Sequence, residues 1–366
     1  MKILHVLNEL KFSGAEIMYV DAAPLLQELG CELSVLNTAD KMGEYATFFK
    51  MAGYEVIHFP ISSNRLKQWQ MCSAIMKLLR SYDVVHIHRH DLHCVFSYCA
   101  WRVGIRSVYT AHNVFRSHFY SYPLHLLQHL IAEKIYHCKL QTISDSVDNN
   151  ERDYFHANTH LVYNWYGSNR FYSADEGEKE SVRKELQIDS DALAIISVGG
   201  CSNVKRHHDV IKAMPLVLKK YPKAVYLHLG DGVTMEEEKR LAETLGVSNH
   251  VRFCGNQRDV RKYLVASDIY VMSSRFEGIS ITTIEAMATG IPCVLYDVPG
   301  LRDFNQDMVT SIIIPEDYQC LADSICKLYE DKDIRSHNID AALNLVHEKY
   351  YMETNVQKIY NLYISN

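Results

Sequence analysis

The chain has 366 residues, of which 48% are hydrophobic and 22% are charged. This composition excludes a disordered chain, a collagen-like chain and a small disulfide scaffold, and the length, at about 150 residues per domain, predicts two domains or one large one. The formal net charge of −6 argues against a nucleic-acid partner, because a globally basic binder carries excess lysine and arginine.

The ten cysteines are scattered and form no C-x-x-C pair. They are predicted to be small buried residues in a reducing compartment rather than disulfide partners. The first residues lack the uncharged apolar core of a signal peptide because Glu9 and Lys11 interrupt it. No run of about 18 uncharged apolar residues is present. We therefore expect a cytoplasmic protein, with any membrane contact peripheral and on the inner face.

Short β-like runs alternate with longer helical patterns, which favours an α/β architecture with parallel sheets. In the first half, a helix is predicted over 14–29 and strands over 2–7, 31–37, 55–59, 84–88, 107–111 and 140–143. In the second half, strands are predicted over 192–198, 225–229, 251–253, 269–272 and 292–295, and helices over 207–220, 235–245, 259–266 and 281–289. Each half begins with a strand, a glycine-containing turn and a helix, which is typical of nucleotide-binding α/β units.

The polar, glycine-containing composition of residues 164–180 predicts a linker between the two halves. The predicted organisation is therefore a first domain over 1–165, a second over 166–345 and a terminal helix over 346–366. Two α/β domains joined by a hinge imply a cleft, and ligands of such folds lie at the carboxyl ends of strands.

The stretch 273–294 carries the strongest chemical signal. Glu277 follows a predicted strand, Ser280 is a plausible helix N-cap, and Glu285 lies about one and a half turns into the helix. A helix N-terminus attracts anions, and carboxylates accept hydrogen bonds from hydroxyls. The pattern would suit a nucleoside-diphosphate sugar. From spacing alone, an ordinary charged surface helix remains the alternative.

These residues resemble the E-x7-E signature of the retaining family 4 glycosyltransferases. The surrounding runs also match in order: LGDG at 229–232, VRFCGNQRDVRKYLVASDIYVMSSRFEG at 251–278, and EAMATGIPCV at 285–294. The resemblance implies the α/β GT-B fold, with two Rossmann-like domains facing a central cleft and a C-terminal helix that crosses back to the first domain. It also implies a metal-independent transfer, without a cofactor, from a UDP- or GDP-linked sugar to a glycan or lipid-linked acceptor in cell-surface polysaccharide synthesis. The first domain would bind the acceptor and the second the donor.

The resemblance assigns roles to individual residues of the second domain. Glu277 is expected to contact hydroxyls of the transferred sugar, and Glu285 the ribose. The diphosphate is expected to bind the backbone amides of Ser280, Ile281 and Thr282.

The stretch VGGCSNVKRHH at 198–208 departs from the family pattern. Lys205 stands at the position of the family lysine, where a cation offsets charge on a leaving diphosphate. Gly200 stands where the family usually has arginine. Either Lys205 acts with the helix amides alone, or Arg206 or another base supplies the second charge. An exposed loop lysine without a role is the alternative for Lys205.

The resemblance gives roles to three further positions. Gly14, in FSGAE, lies where the family often has two adjacent glycines and this chain has Ser13-Gly14; a small residue there lets the backbone approach a phosphate. His112, after a strand, lies where a family histidine faces the donor sugar. Residues near Gln257 are expected to meet the nucleotide base through backbone groups. A helix-start glycine and a structural histidine are the alternatives for the first two.

The run HIHRHDLH places His86, His88, His90 and His93 close together. Alternate residues share a strand face, so zinc binding is conceivable. The family resemblance accounts for the run without a metal, and no metal site is predicted.

Residues 101–140 combine five lysines and arginines with a single acid, Glu133. The segment FRSHFYSYPLHLLQHLI, which contains Arg116, mixes bases, aromatic residues and leucines. Such a face can rest on anionic lipid, so peripheral membrane contact through 101–140 is one interpretation. The other is that the leucines belong to the core and the bases to a solvated rim.

Two functions other than transfer stay open at this stage. A GT-B-fold nucleotide-sugar epimerase would hold a similar ligand but would need further acid and base carboxylates. A relative that binds nucleotide sugar without transferring it is favoured only by Gly200.

Overall fold

The structure, a computed structural model, describes residues 1–114, 122–305 and 308–365. These residues form two units. Unit 1 comprises the described residues of 1–165 together with 352–365, and unit 2 comprises those of 166–351. Each unit has its own parallel sheet with helices around it.

In unit 1, the described strands form one parallel sheet in the order β3-β2-β1-β4-β5-β6-β7. The strands are β1 (Lys2–Leu7), β2 (Glu32–Asn37), β3 (Glu55–His58), β4 (Val84–Ile87), β5 (Arg106–Ala111), β6 (Lys139–Thr142) and β7 (Thr159–Leu161). Strands β1, β2 and β4 are almost continuously buried runs, as expected for a parallel sheet covered on both faces.

The crossover segments of unit 1 are mostly helical. The helices are α1 (Gly14–Glu28), α2 (Ala46–Met51), α3 (Arg65–Gln70), α4 (Cys72–Leu79), α5 (His93–Val103), α6 (Tyr122–Lys134) and α7 (Asp145–Phe155). Gly30, in the turn after α1, has φ +76°, and its amide nitrogen donates to the Gln27 carbonyl oxygen at 2.9 Å. That left-handed conformation suits glycine, so the chain reverses there into β2.

In unit 2, the described strands form a second parallel sheet in the order β10-β9-β8-β11-β12-β13. The strands are β8 (Ala194–Val198), β9 (Val225–Leu229), β10 (Val251–Gly255), β11 (Ile269–Met272), β12 (Cys293–Tyr296) and β13 (Ile312–Ile314). In both sheets the first strand of the unit pairs with the fourth. The loops that follow these two strands run to opposite sides of the sheet. This leaves a crevice at the carboxyl ends of the two strands, the switch point at which folds of this kind bind ligands.

The helices of unit 2 follow the same alternation. They are α8 (Glu176–Glu185), α9 (His207–Lys220), α10 (Met235–Thr244), α11 (Val260–Ala266), α12 (Ile281–Ala288), α13 (Pro299–Arg302), α14 (Tyr318–Glu330) and α15 (Lys332–Lys349). Along the described parts of the chain, no helix is both long and apolar enough to span a membrane.

The last helix, α16 (Met352–Ile364), returns to unit 1 and packs against α1. Its buried Tyr363 hydroxyl lies 2.6 Å from His86 Nδ1. Lys139 donates from Nζ to the Leu362 carbonyl oxygen at 3.2 Å. Polar contacts therefore fix the end of α16 to strands β4 and β6.

Two edge strands and one helix differ from the sequence-based expectation. Strands β7 and β13 were not predicted, and α8 begins inside the predicted linker 164–180, so that part of the prediction is wrong. The helix is almost entirely polar, and its buried Arg183 donates from Nη2 to Asp268 Oδ2 at 2.5 Å and from Nε to the Ala266 carbonyl oxygen at 2.9 Å. Because α8 docks through such polar contacts, its composition resembles that of a linker.

We predict that Tyr363→Phe destabilises unit 1, because it leaves the buried His86 Nδ1 without its partner in α16. Loss of one buried hydrogen bond of this kind costs about 1–3 kcal/mol. Urea denaturation of the full chain measures the change, and the half-buried Tyr360 provides the control variant Tyr360→Phe. Equal stability of the two variants would show that the contact adds nothing.

Candidate functional site

The loops that follow β8 and β11 meet at the carboxyl edge of the unit 2 sheet. Lys205, after β8, donates from Nζ to Glu277 Oε1, after β11, at 2.6 Å. Both side chains are largely buried, with 24% and 13% of their surface exposed. Two further contacts join the loops: Ser273 Oγ donates to the Lys205 carbonyl oxygen at 3.0 Å, and the Arg275 amide donates to the Val204 carbonyl oxygen at 2.8 Å. Hydrogen bonds to the backbone carbonyls of Val204 and Lys205 therefore hold the two loops together next to the ion pair.

Helix α12 begins directly after this pair. Ser280 caps it, since its Oγ accepts from the Thr283 amide at 3.2 Å, as the sequence predicts. The amides of Ile281 and Thr282 have no acceptor within the described ranges, and both residues are partly exposed. Thr282 Oγ1 donates to the Val198 carbonyl oxygen at the end of β8, at 3.2 Å. The free N–H groups and the positive end of the helix dipole thus lie beside β8.

Glu285 lies in the second turn of α12 and is 5% exposed. Glu285 is therefore on the same helix as the free amides of Ile281 and Thr282, one turn further along. Unit 2 therefore combines a cation, a helix N-terminus and two carboxylates on elements that border β8 and β11.

The glycines that follow β8 and β9 differ in how much space their surroundings leave for a side chain. A Cβ on Gly199 would lie 3.2 Å from Lys205 Cε, so this glycine leaves space for the lysine side chain. Gly230, with φ +134°, packs directly against the Gly199 backbone. Gly200 is exposed, and a Cβ there would lie 3.5 Å from the Asp231 carbonyl oxygen, an ordinary contact. A larger residue would therefore fit at Gly200.

Arg206 is engaged by carboxylates in unit 2. It donates from Nε to Asp209 Oδ2 at 2.8 Å and from Nη1 to Glu316 Oε2 at 2.7 Å, and its side chain is 15% exposed. Replacing the family arginine would require it to give up both partners. The structure does not favour Arg206 in that role.

Gln257 lies after β10, where its Nε2 donates to the Cys254 carbonyl oxygen at 2.5 Å. Gly14 and His112 lie in unit 1, at the start of α1 and directly after β5. Ser13 is the N-cap of α1 and its hydroxyl donates to the carboxylate of buried Glu16. Burial raises the pKa of that carboxyl.

His112 belongs to a row of hydrogen-bonded imidazoles that crosses three strands. His88 Nδ1 lies 3.0 Å from His112 Nε2, and His88 Nε2 lies 3.2 Å from His5 Nδ1. We call His5, His88 and His112 the imidazole chain. Burial lowers the pKa of His5 to about 3 and that of His112 to about 4, so both rings are neutral near pH 7.

His5 was not predicted from the sequence as part of this arrangement. Its only signal is a histidine inside the apolar run KILHVL. His86 lies beside the chain, but its nitrogens are 2.6 Å from Tyr363 OH and 2.6 Å from Thr110 Oγ1. Nitrogens of His5, His86 and His88 lie within 4.8 Å of one another, because β1 and β4 are paired with His5 opposite His86.

A second buried cluster that sequence reasoning missed lies behind the loop after β8. His228 Nε2 lies 2.9 Å from Glu238 Oε2 and 3.8 Å from Cys201 Sγ, and Thr234 Oγ1 donates to Glu238 Oε1 at 2.7 Å. Although burial alone would raise it, the hydrogen bonds from His228 and Thr234 lower the pKa of Glu238. The cluster connects α10 to the residue that follows Gly200. Its signal in the sequence is the histidine in LHLGDG.

Two family models match the chain. The model described as Glycosyltransferase Family 4 matches residues 12–196, just over half of the chain. The model described as Glycosyl transferases group 1 matches residues 178–344, which include the Lys205 loop and α12.

Named relatives come from several bacteria. N-acetyl-alpha-D-glucosaminyl L-malate synthase of Bacillus anthracis is 26% identical over 288 residues, covering 77% of this chain and 74% of that protein. The O-antigen biosynthesis glycosyltransferase WclY of Escherichia coli is 24% identical over 316 residues, covering 84% and 83%.

The fold matches solved structures over its whole length. Anabaena Alr3699/HepE, crystallised with UDP and glucose, superposes with a TM-score of 0.84 at 20% identity and 100% coverage of both chains. WaaG, a glycosyltransferase involved in lipopolysaccharide biosynthesis, gives a TM-score of 0.77 at 16% identity, again over both full chains. Two Rossmann-like units with these strand orders are those of the GT-B fold. The chain is therefore a glycosyltransferase and belongs to glycosyltransferase family 4.

Proposed function

We propose that this glycosyltransferase moves a sugar, with retention of configuration, from a UDP- or GDP-linked donor to a hydroxyl of a glycan or lipid-linked acceptor. The Lys205–Glu277 pair beside the open N-terminus of α12 carries the proposal. The relatives include proteins named for O-antigen and lipopolysaccharide core synthesis, which supports a place in cell-surface polysaccharide synthesis.

The donor diphosphate has a complementary surface in unit 2. The ammonium of Lys205 supplies a full charge, and the amides of Ile281 and Thr282 supply N–H groups at the positive end of α12. Together they would offset the charge that develops on the leaving diphosphate. A site built from these groups needs no divalent cation, so we propose that transfer is metal-independent.

The carboxylates would bind the hydroxyls of the donor. Glu277 would accept from the transferred sugar and Glu285 from the ribose. Since Glu277 is paired with Lys205 at 2.6 Å in the free protein, the diphosphate would take over the ammonium and leave the carboxylate for the sugar. Gln257 is proposed to lie by the nucleotide base.

Unit 1 is proposed to bind the acceptor and to contribute Gly14 near the phosphates and His112 near the sugar. The acceptor hydroxyl would attack on the face from which the diphosphate leaves, and a phosphate oxygen would take its proton. The protein then supplies orientation and charge stabilisation rather than a covalent nucleophile.

We predict that thermal shift with UDP, GDP, UDP-glucose and GDP-mannose identifies one nucleotide class that raises the melting temperature through mass action.

Lys205→Met should weaken that shift because it removes the ammonium, whereas the exposed Lys223→Met should not. Glu277→Gln should retain nucleoside-diphosphate binding while transfer falls about 100-fold or more, the range for loss of a group that acts in the transition state.

Three outcomes would contradict this assignment. Binding of no nucleotide would remove the donor site, and an unchanged shift in Lys205→Met would remove Lys205 from it. Epimerised donor recovered after incubation without acceptor would indicate an epimerase instead.

We predict that Gly200→Arg is tolerated and strengthens nucleoside-diphosphate binding several-fold at low salt. The position has room for a side chain, and an added guanidinium would supply a second charge near the diphosphate. Isothermal calorimetry of Gly200→Arg against Gly200→Ala separates charge from bulk. Equal affinities, or a gain that persists in high salt, would contradict a second cation position at this residue.

We further propose that unit 1 rests on anionic lipid through an apolar surface on α6. Three of the four leucines of α6, and Ile135 directly after it, are exposed rather than part of the core, which departs from the second interpretation of this segment; Leu126 is half-buried. Exposed fractions are 48% for Leu124, 52% for Leu127, 36% for Leu130 and 51% for Ile135. Burial of such side chains in the lipid interface is favourable.

Aromatic and basic residues extend this surface. Trp101 is 44% exposed and packs on Tyr136, with ring centroids 5.6 Å apart, directly after α6. Arg102 and Lys134 are exposed beside them, and each base near an anionic surface contributes about 1 kcal/mol. Residues 115–121 of the predicted 101–140 face, including Arg116, lie outside the described residues.

We predict that the protein sediments with vesicles containing phosphatidylglycerol but not with pure phosphatidylcholine vesicles. The double variant Leu124→Ser, Leu127→Ser should reduce binding at least tenfold, since each leucine contributes about 1.5–3 kcal/mol when buried. Met51→Ser, at another exposed apolar position of unit 1, is the control. Equal binding of both variants would place the contact elsewhere.

A further inference from the structure

The imidazole chain crosses the unit 1 sheet at its switch point. His5 lies in β1, His88 directly follows β4 and His112 directly follows β5, and these three strands are neighbours in the sheet. His5 is fully buried, whereas His88 and His112 are partly exposed. The chain therefore runs from the interior of unit 1 to its surface at the carboxyl edge.

We propose that His5 and His88 are positioning residues that fix the tautomer of His112, so that His112 presents an N–H at Nδ1 to its ligand. The inference rests on the proposed function, which places His112 near the donor sugar. It adds two residues, from two other strands, that decide which hydrogen-bonding group His112 offers.

The two hydrogen bonds of the chain are coupled. A neutral imidazole has one N–H donor and one bare acceptor nitrogen. Desolvation by burial lowers the pKa of all three rings, which keeps them neutral. His88 must then donate on one side and accept on the other. The direction of the His5–His88 bond consequently sets the direction of the His88–His112 bond.

The buried end of the chain determines that direction. His5 Nε2 is buried and has no hydrogen-bond partner among the described residues; the rings of Tyr19 and Tyr54 lie against it, with centroids 4.5 and 6.0 Å away. An orphaned buried N–H is rarer and less tolerated than an orphaned acceptor. His5 therefore carries its hydrogen on Nδ1 and donates to His88 Nε2. His88 in turn donates from Nδ1 to His112 Nε2, which leaves the hydrogen of His112 on Nδ1.

The same dead end argues against proton conduction. A proton that entered at His112 would reach His5 and find no onward acceptor in the described structure. The imidazole chain can therefore fix which nitrogen carries a hydrogen, but it cannot conduct a proton away from His112. His112 Nδ1, which has no partner within the described ranges, would donate to an oxygen of the ligand. In the opposite tautomer it would present a lone pair and require a donor instead.

Nitrogen-15 NMR of the full chain with labelled histidine tests this assignment without any donor present. The His112 signals are identified by their loss in His112→Gln. We expect a protonated Nδ1 and a bare Nε2 for His112 at pH 7. His88→Phe, which keeps a ring but removes both nitrogens, should abolish this preference, whereas His90→Gln, in the same loop but outside the chain, should leave it unchanged.

A matched pair at His5 tests the direction of the chain. In His5→Asn the amide nitrogen can replace Nδ1 as a donor to His88, while His5→Leu supplies no donor. We expect His5→Asn to keep the His112 tautomer and to remain within about threefold of the original kcat/KM. His5→Leu should lose the tautomer and about tenfold in kcat/KM, in the range for loss of an orienting partner. The donor for this assay is whichever of UDP-glucose and GDP-mannose binds.

The NMR and kinetic results separate this inference from the proposed function. A bare Nδ1 on His112 in the original protein overturns the inference even if the protein transfers sugar, and so does an unchanged tautomer in His88→Phe. Equal kinetics of His5→Asn and His5→Leu also overturn it. Failure of every nucleotide to bind counts against the proposed donor site and leaves the measured tautomers unaffected.

Discussion

The order of strands in a parallel sheet is the constraint that places both proposed functional regions. In unit 2, β8 lies between β9 and β11, so the connections on its two sides leave in opposite directions. The loops after β8 and β11 can then approach each other without a helix between them. This is where Lys205 meets Glu277 and where α12 begins. The strand order alone therefore determines where these two loops meet, whichever side chains they carry.

The two units use different electrostatics at the equivalent edge of their sheets. Unit 2 concentrates charge: a lysine and a glutamate neutralise each other at 2.6 Å while both are largely buried. Removing either partner would leave an uncompensated charge, so the pair stabilises the two loops that carry it. Unit 1 instead holds neutral imidazoles whose ordering depends on hydrogen bonds.

Sequence patterns predicted what depends on local order and missed what depends on distant pairing. The strands 2–7, 225–229 and 269–272 and the cap at Ser280 coincide with the structure because periodicity and capping are local. Lys205 and Glu277 were predicted as site residues through the family resemblance, and the structure pairs them, although their role stays a prediction. Strands β7 and β13 span three residues each, too few for a periodic signal. His5 and His88 are 83 residues apart, and His86 and Tyr363 are 277 apart; such contacts require the sheet order, which the sequence pattern did not supply.

The return of α16 to unit 1 also affects the order in which the protein is made. Synthesis on the ribosome proceeds from the N-terminal to the C-terminal side, so all of unit 2 emerges between the main part of unit 1 and the helix that completes it. Until then, His86 Nδ1 and the Lys139 ammonium have no α16 to bind. Unit 2 is consequently the first of the two units whose residues are all available for folding, although it is second in the chain.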